Sequence, residues 1–86
     1  MYSFGGMNVR EFKVRFRSLR DVQDFVALAG KQRFLLQVGS DRFQVNATSF
    51  MGIFALNCRK PLRVWADCSE EELEGFLRQA HRFLDL

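Results

Sequence analysis

Along this chain, short segments with apolar residues at every second position alternate with segments at helical spacing, and almost nothing separates them. That order constrains the fold more than any other feature. Phe12, Val14 and Phe16 alternate with Glu11, Lys13 and Arg15, the pattern of a half-buried strand beginning at Val9. Ser18-Leu19-Arg20-Asp21 then predicts a helix start, with a serine cap and an acid three residues on. Leu19, Val22, Phe25, Val26 and Ala29 give that helix its stripe, and Gly30 is expected just past its end. Phe34–Val38 reads as a second strand. Gly39-Ser40-Asp41 turns the chain into a third, in which Phe43, Val45 and Ala47 face inward against Arg42, Gln44 and Asn46. Thr48 and Ser49 precede a two-turn helix over Phe50–Leu56, with Asn57 suited to a left-handed end and Pro61 blocking continuation. Leu62, Val64 and Ala66 alternate with Arg63 and Trp65 as a fourth strand. Ser69 and Glu72 form a capping box for a last helix, whose stripe of Leu73, Phe76, Leu77, Ala80, Phe83 and Leu84 runs to the chain's end.

The order is β-α-β-β-α-β-α. One four-stranded antiparallel sheet with all three helices on one face buries every stripe, which is a two-layer, open-faced α+β sandwich. With 86 residues, 48% of them hydrophobic, the chain has the length of one domain and the apolar content for a core. Met1–Asn8 lacks periodicity and reads as a mobile extension, leaving 9–86 as the domain. No apolar run approaches the roughly 20 residues of a membrane span, and the first residues gather no signal-like apolar block. Cys58 and Cys68 cannot make a disulfide framework, and they lack zinc-ligand company. A cytoplasmic protein with reduced thiols, no metal and no cofactor is expected.

The net charge of +3 conceals an asymmetry. Residues 1–66 carry eleven basic and four acidic side chains, and residues 67–86 carry two basic and six acidic ones. The body of the domain can therefore attract anions: nucleic acid, an acidic protein or a phosphorylated group. The open sheet face is expected to show Lys13, Arg15, Leu35, Gln37, Arg42, Gln44 and Arg63 around Trp65, where a nucleic-acid strand could stack. An RNA-recognition motif shares the β-α-β-β-α-β start, but its Lys/Arg-Gly-Phe-Gly-Phe signature is missing. His81, beside Arg82, has no second ligand or nucleophile at helical spacing and reads as structural, and both cysteines read as small packing residues. No catalytic constellation emerges, so an enzyme is not expected.

This element order, together with Ser49-Phe50-Met51-Gly52-Ile53-Phe54-Ala55-Leu56 after Val45-Asn46-Ala47-Thr48, resembles HPr, the small phosphocarrier of the bacterial sugar phosphotransferase system. The family's second helix opens on a serine followed by an apolar residue, Met and Gly, as here. Its first helix opens on a Gly-Ile-His-Ala-Arg-Pro-Ala type motif, and there the likeness fails. Reading back without a gap from Ser49 puts Ser18 at the histidine, Arg20 at the arginine and Asp21 at the proline. A serine phosphate ester is far more inert than the phosphoramidate of a histidine, so phosphoryl relay from phosphoenolpyruvate is not implied.

The resemblance is to a degenerate member, similar to the catabolite-repression paralogue that lacks the histidine and keeps the serine. It implies a non-catalytic regulatory or docking protein in carbon catabolite control. Ser49 would be the phosphorylated residue, and Phe50, Met51 and Phe54 the docking surface. The partners implied are an HPr-type kinase and a catabolite-control transcription factor. Ser18, Arg20 and Arg17 would be the remnant of the phosphocarrier site, read physically as a capped helix end among solvated charges. On period alone, Ile53 and Leu56 should be buried and Met51 exposed. Two other readings are a phosphocarrier with residual transfer on His81 and a nucleic-acid module on the open sheet face around Trp65.

Overall fold

Segments of period two become strands only if they find partners, and here all four join one antiparallel sheet. The computed structural model describes residues 9–85, so the extension expected at Met1–Asn8 lies outside the described residues. The elements are β1 (Val9–Val14), α1 (Leu19–Gly30), β2 (Leu35–Gly39), β3 (Gln44–Asn46), α2 (Phe50–Phe54), β4 (Leu62–Asp67) and α3 (Glu70–Gln79), followed by a 3-10 turn at His81–Phe83. The sheet order is β1-β4-β2-β3. Its register places Phe12 opposite Val64, Val64 opposite Val38, and Val38 opposite Val45, one apolar row across all four strands. The three helices cover that side, as the two-layer α+β reading expects.

The core is aromatic at its centre. Phe25 of α1 is fully buried, and its ring meets those of Phe16, Phe83 and Phe76 edge-on at centroid separations of 5.2, 5.6 and 6.0 Å. Edge-to-face geometry lets each ring's positive rim meet a negative face, which adds to the burial of the rings themselves. Ser69 and Glu72 cap α3 reciprocally, at 3.2 and 3.0 Å. Gly75 lies inside α3, and a Cβ there would meet nothing within 4 Å. Gly75→Ala should therefore stabilise the domain by roughly 0.5–1 kcal/mol, through lower backbone entropy in the unfolded chain. A lowered urea midpoint would contradict this.

Several local expectations are corrected. Leu19, placed in the buried stripe, is 50% exposed, because it is the first helical residue and lies beyond the sheet's cover. Gly30 is the last residue of α1 rather than the one after it, and Lys31 caps the helix at φ −85. No described residue has positive φ, Asn57 included. After α2 the chain tightens instead through a Leu56 N–H donated to the Ile53 carbonyl. Strand β3 begins only at Gln44, and Phe43 is 64% exposed, since the Ser40 N–H bonds the Phe43 carbonyl and draws residues 40–43 into the turn.

The last stripe does not continue as one helix. The chain leaves α3 after Gln79 and makes the 3-10 turn that carries Phe83 into the aromatic cluster. Leu84 then bridges Val14 at the outer edge of β1. An Arg15 N–H donated to the Phe83 carbonyl and an Asp85 N–H donated to the Lys13 carbonyl flank that bridge.

Candidate functional site

Helix α2 is held at its start by side chains that the sequence places in a row. Asn46 Oδ1 accepts from both the backbone N–H and the hydroxyl of Thr48, at 2.9 and 2.7 Å. This turn leaves the next residue, Ser49, as the cap, and its Oγ accepts from the Gly52 N–H at 3.2 Å. A Cβ on Gly52 would lie 2.8 Å from that Oγ and 3.1 Å from Val45 Cβ. Glycine at this position is thus what lets Ser49 turn inward while α2 lies close to β3. Ile53 is fully buried and Leu56 nearly so, as expected. Met51 and Phe54 are exposed, at 69% and 55%. Phe50 is half-buried, its ring stacked on Phe54 with a 13° tilt. Two large apolar side chains, Met51 and Phe54, therefore face solvent two and five residues after the serine.

At the start of α1, Ser18 is the cap and accepts from the Asp21 N–H at 3.2 Å. Asp21 reaches back in turn, its Oδ2 accepting the Arg17 N–H at 2.9 Å. Its Oδ1 pairs with Arg82 at 3.4 Å. Arg20 pairs with Asp24 along the helix surface at 3.5 Å, and Arg82 also holds Asp24. The three residues of the remnant site thus take different roles: Ser18 caps, Arg20 lies against its own helix, and Arg17 stands free of ion pairs among the described residues.

Between this end of α1 and the chain leaving α2 lies a groove of about 610 Å³. Phe16, Val22 and Leu56 are its buried apolar lining, and Leu19 and Phe54 are its exposed lips. Arg17, Ser18, Asn57, Cys58 and Arg59 complete the lining. The groove therefore brings Arg17 and Ser18 together with Phe54, while Arg20, Ser49, Phe50 and Met51 lie outside its lining. Leu19 and Arg59 were missed as site residues. The basic Arg59-Lys60 pair directly after the short helix was the signal available for one, but nothing in a helical stripe distinguishes an exposed first residue from a buried one.

The sheet's other face is less free than its composition implied. Arg63 is shared between Glu11 and Asp41, at 3.8 and 3.5 Å, and the Trp65 indole N–H donates to Glu11 at 3.0 Å. Trp65 is half-buried and Gln37 is buried. Arg15 is not on this face at all: it lines the groove and pairs with Asp85 at 3.7 Å. His81 is exposed in the 3-10 turn rather than in α3. Cys58 donates its thiol to the Ile53 carbonyl, and burial pushes its pKa up. Burial does the same at Cys68, with the Glu72 carboxylate adding to it. Thiols held protonated in this way are poor nucleophiles. Among the described residues no His, Cys, Asp and Glu cluster could hold a metal, and no helix is long and apolar enough to cross a membrane.

No protein-family model matches the chain, and no curated protein matches it. Solved structures do. The chain is similar to a phosphocarrier protein HPr from Bacillus anthracis str. Ames at 25% identity, with a TM-score of 0.63 over 79% of this chain and 92% of that one. It is also similar to HPr-C-His from Thermoanaerobacter tengcongensis at 23% identity, with a TM-score of 0.66 over 87% of this chain and 92% of that one. Strand order, helix placement and these likenesses agree that the chain has the fold of the HPr phosphocarriers.

Proposed function

We propose that this chain is an HPr-like regulatory and docking protein of carbon catabolite control, acting through Ser49 and α2 without catalysis of its own. The observation that carries the reading is the exposure of Met51 and Phe54 immediately after a capping serine. Exposed methionine and aromatic side chains are adaptable contact surface. A phosphate on Ser49 would place about two negative charges beside that surface and change what can dock there. In the reaction an HPr-type kinase transfers the γ-phosphoryl of ATP to Ser49 Oγ, ADP leaves, and the hydroxyl proton passes to a base on the kinase. The phosphorylated form would then engage a catabolite-control transcription factor. Ser18 as the α1 cap and the distance in sequence of the chain's one histidine, His81, support the non-catalytic part of this reading.

Intact mass after incubation with ATP and an HPr-type kinase, beside Ser49→Ala, tests it. One phosphate is expected on the wild type and none on the variant. An unchanged wild-type mass, with a kinase that modifies an HPr control in the same tube, would refute the regulatory role. Phosphate appearing on His81 with phosphoenolpyruvate and enzyme I would favour residual carrier activity instead.

A further inference from the structure

We infer that the cavity at the end of the open sheet face, between β1, the β2–β3 turn and the segment entering β4, binds a small phosphate monoester that carries a hydroxyl group. The site uses neither Ser49 nor α2, so it stands apart from the docking role proposed above. The cavity measures about 300 Å³, room for a small organic phosphate. The sheet register explains how its charges meet. Lys13 stands opposite Arg63, and Arg63 opposite Gly39, so the three form one row across β1, β4 and β2. Gly39 has no side chain, and the Phe43 carbonyl oxygen takes the place where a Cβ would project. The turn therefore folds back on the strand end and sets Ser40 and Asp41 on the cavity wall. Asn57 and Lys60 reach the same cavity from the segment before β4. Three cations from distant parts of the chain thus line it together with one carboxylate.

Which of these cations remain available follows from the acids nearby. Glu11 accepts from the Trp65 indole and pairs with Arg63, and Asp41 Oδ1 pairs with Arg63 as well. Both carboxylates are thus committed to one guanidinium, while Lys13 and Lys60 make no ion pair among the described residues. Like charges gathered around one concavity repel each other, and an anion between them removes that cost. An ammonium group is a compact charge with three donors on a flexible stem. That suits the three oxygens of a phosphate better than the planar pair of a carboxylate, which a guanidinium fork reads.

The hydroxyl follows from Asp41. Lys13 on β1 and the Gly39 end of β2 flank Arg63, about two strand spacings or roughly 10 Å apart. Lys13 and the turn carrying Asp41 therefore hold opposite sides of the cavity, and the phosphate belongs on the lysine side. Asp41 Oδ2 accepts nothing among the described residues, and a ligand atom beside it must be a donor, since an acceptor there would face a carboxylate. Asn57 Oδ1 already accepts the Arg59 N–H at 3.2 Å, which leaves its amide NH2 to donate to the phosphate. Ser40 Oγ accepts the Arg42 N–H at 3.5 Å and keeps its own hydrogen to donate.

The test is an amide NMR titration of the whole chain with hydroxyethyl phosphate and, separately, ethyl phosphate. Ionic strength is held constant and low, at a pH well above the second phosphate pKa of about 6, so that both esters are dianions. Saturable shifts are expected at the amides of Ser40, Asp41 and Lys60. Lys13→Gln and Lys60→Gln should each weaken binding roughly fivefold, the loss of one charge-assisted contact at an exposed site. Ethyl phosphate, which lacks the hydroxyl, should bind about threefold more weakly, and Asp41→Ala should abolish that difference. Arg17→Gln and Ser49→Ala should bind as the wild type does. No saturation at those three amides, or unchanged affinity in both lysine variants, would overturn the inference. Shifts centred on Arg17 and Ser18 that vanish in Arg17→Gln would place the anion at the start of α1, also against it. Equal affinity for the two esters would overturn the assignment of a hydroxyl to Asp41. Loss of binding in Ser49→Ala would move the site to α2 and refute its independence, whereas a kinase result has no bearing on this cavity.

Discussion

Phe25→Ala is expected to destabilise the domain by about 3–5 kcal/mol, the usual cost of emptying a buried aromatic site. Phe25 is fully buried and is the ring that Phe16, Phe76 and Phe83 all meet. Those three come from the β1–α1 connection, from α3 and from the final 3-10 turn, so the cavity would open where three separate segments converge. A chain of this length has a total stability of roughly 4–13 kcal/mol, and the variant should be marginally folded at best. Urea unfolding followed by far-UV circular dichroism measures the loss, with Phe25→Leu as a milder companion. A loss below about 1 kcal/mol would mean that the cluster is not the centre of the core.

Gly39→Ala should follow it closely, at about 1–3 kcal/mol, for a steric reason. A Cβ on Gly39 would fall 2.2 Å from the Phe43 carbonyl oxygen and 3.0 Å from Gln44 Cα. Both are backbone atoms, so no side-chain rotation relieves the clash, and the turn between β2 and β3 must open. Amide exchange localises the effect. The Ser40 N–H, bonded to the Phe43 carbonyl, and the Ala47 N–H, bonded to the Leu36 carbonyl, should lose protection before the β1–β4 pairs do. Unchanged protection at Ser40 and an unchanged midpoint would contradict this account.

Element type and order were legible in the sequence because alternation and helical spacing are properties of short windows. The four strands, the three helices and the Ser18 and Ser69 caps all follow from such windows, whereas the choice of Ser49 over Thr48 as the cap of α2 comes only with the Asn46 turn. Failures occurred where a residue's surroundings come from far away in the chain. Leu19 fits its helical stripe and is still exposed, because nothing in the stripe records where the sheet ends. The helical spacing of Phe83 and Leu84 is genuine, but tertiary packing overrides it: one completes the aromatic cluster and the other pairs with β1. For the same reason Arg15, although in phase with β1, is drawn away to Asp85. The charge balance suggested a basic face around Trp65. Glu11 and Asp41 neutralise Arg63 there, while Arg17 and Arg59, without an ion pair among the described residues, both line a groove that joins residues forty positions apart in the chain.

The pairing of β1 with β4 also sets a delay on synthesis. Val14 lies opposite Leu62 and Val9 opposite Asp67, so the partner strand is translated well after β1. At about 5–20 residues per second, a gap of this size lasts on the order of seconds. For that time Phe12, Val14 and Phe16 leave the ribosome as an apolar strand without a sheet, and the Leu84 bridge that shields its outer edge comes later still. Hydrophobic strands left unpaired in this way are what chaperones bind. The nascent chain should therefore depend on such protection until β4 is made and pairs with β1, with the Leu84 bridge closing the outer edge last.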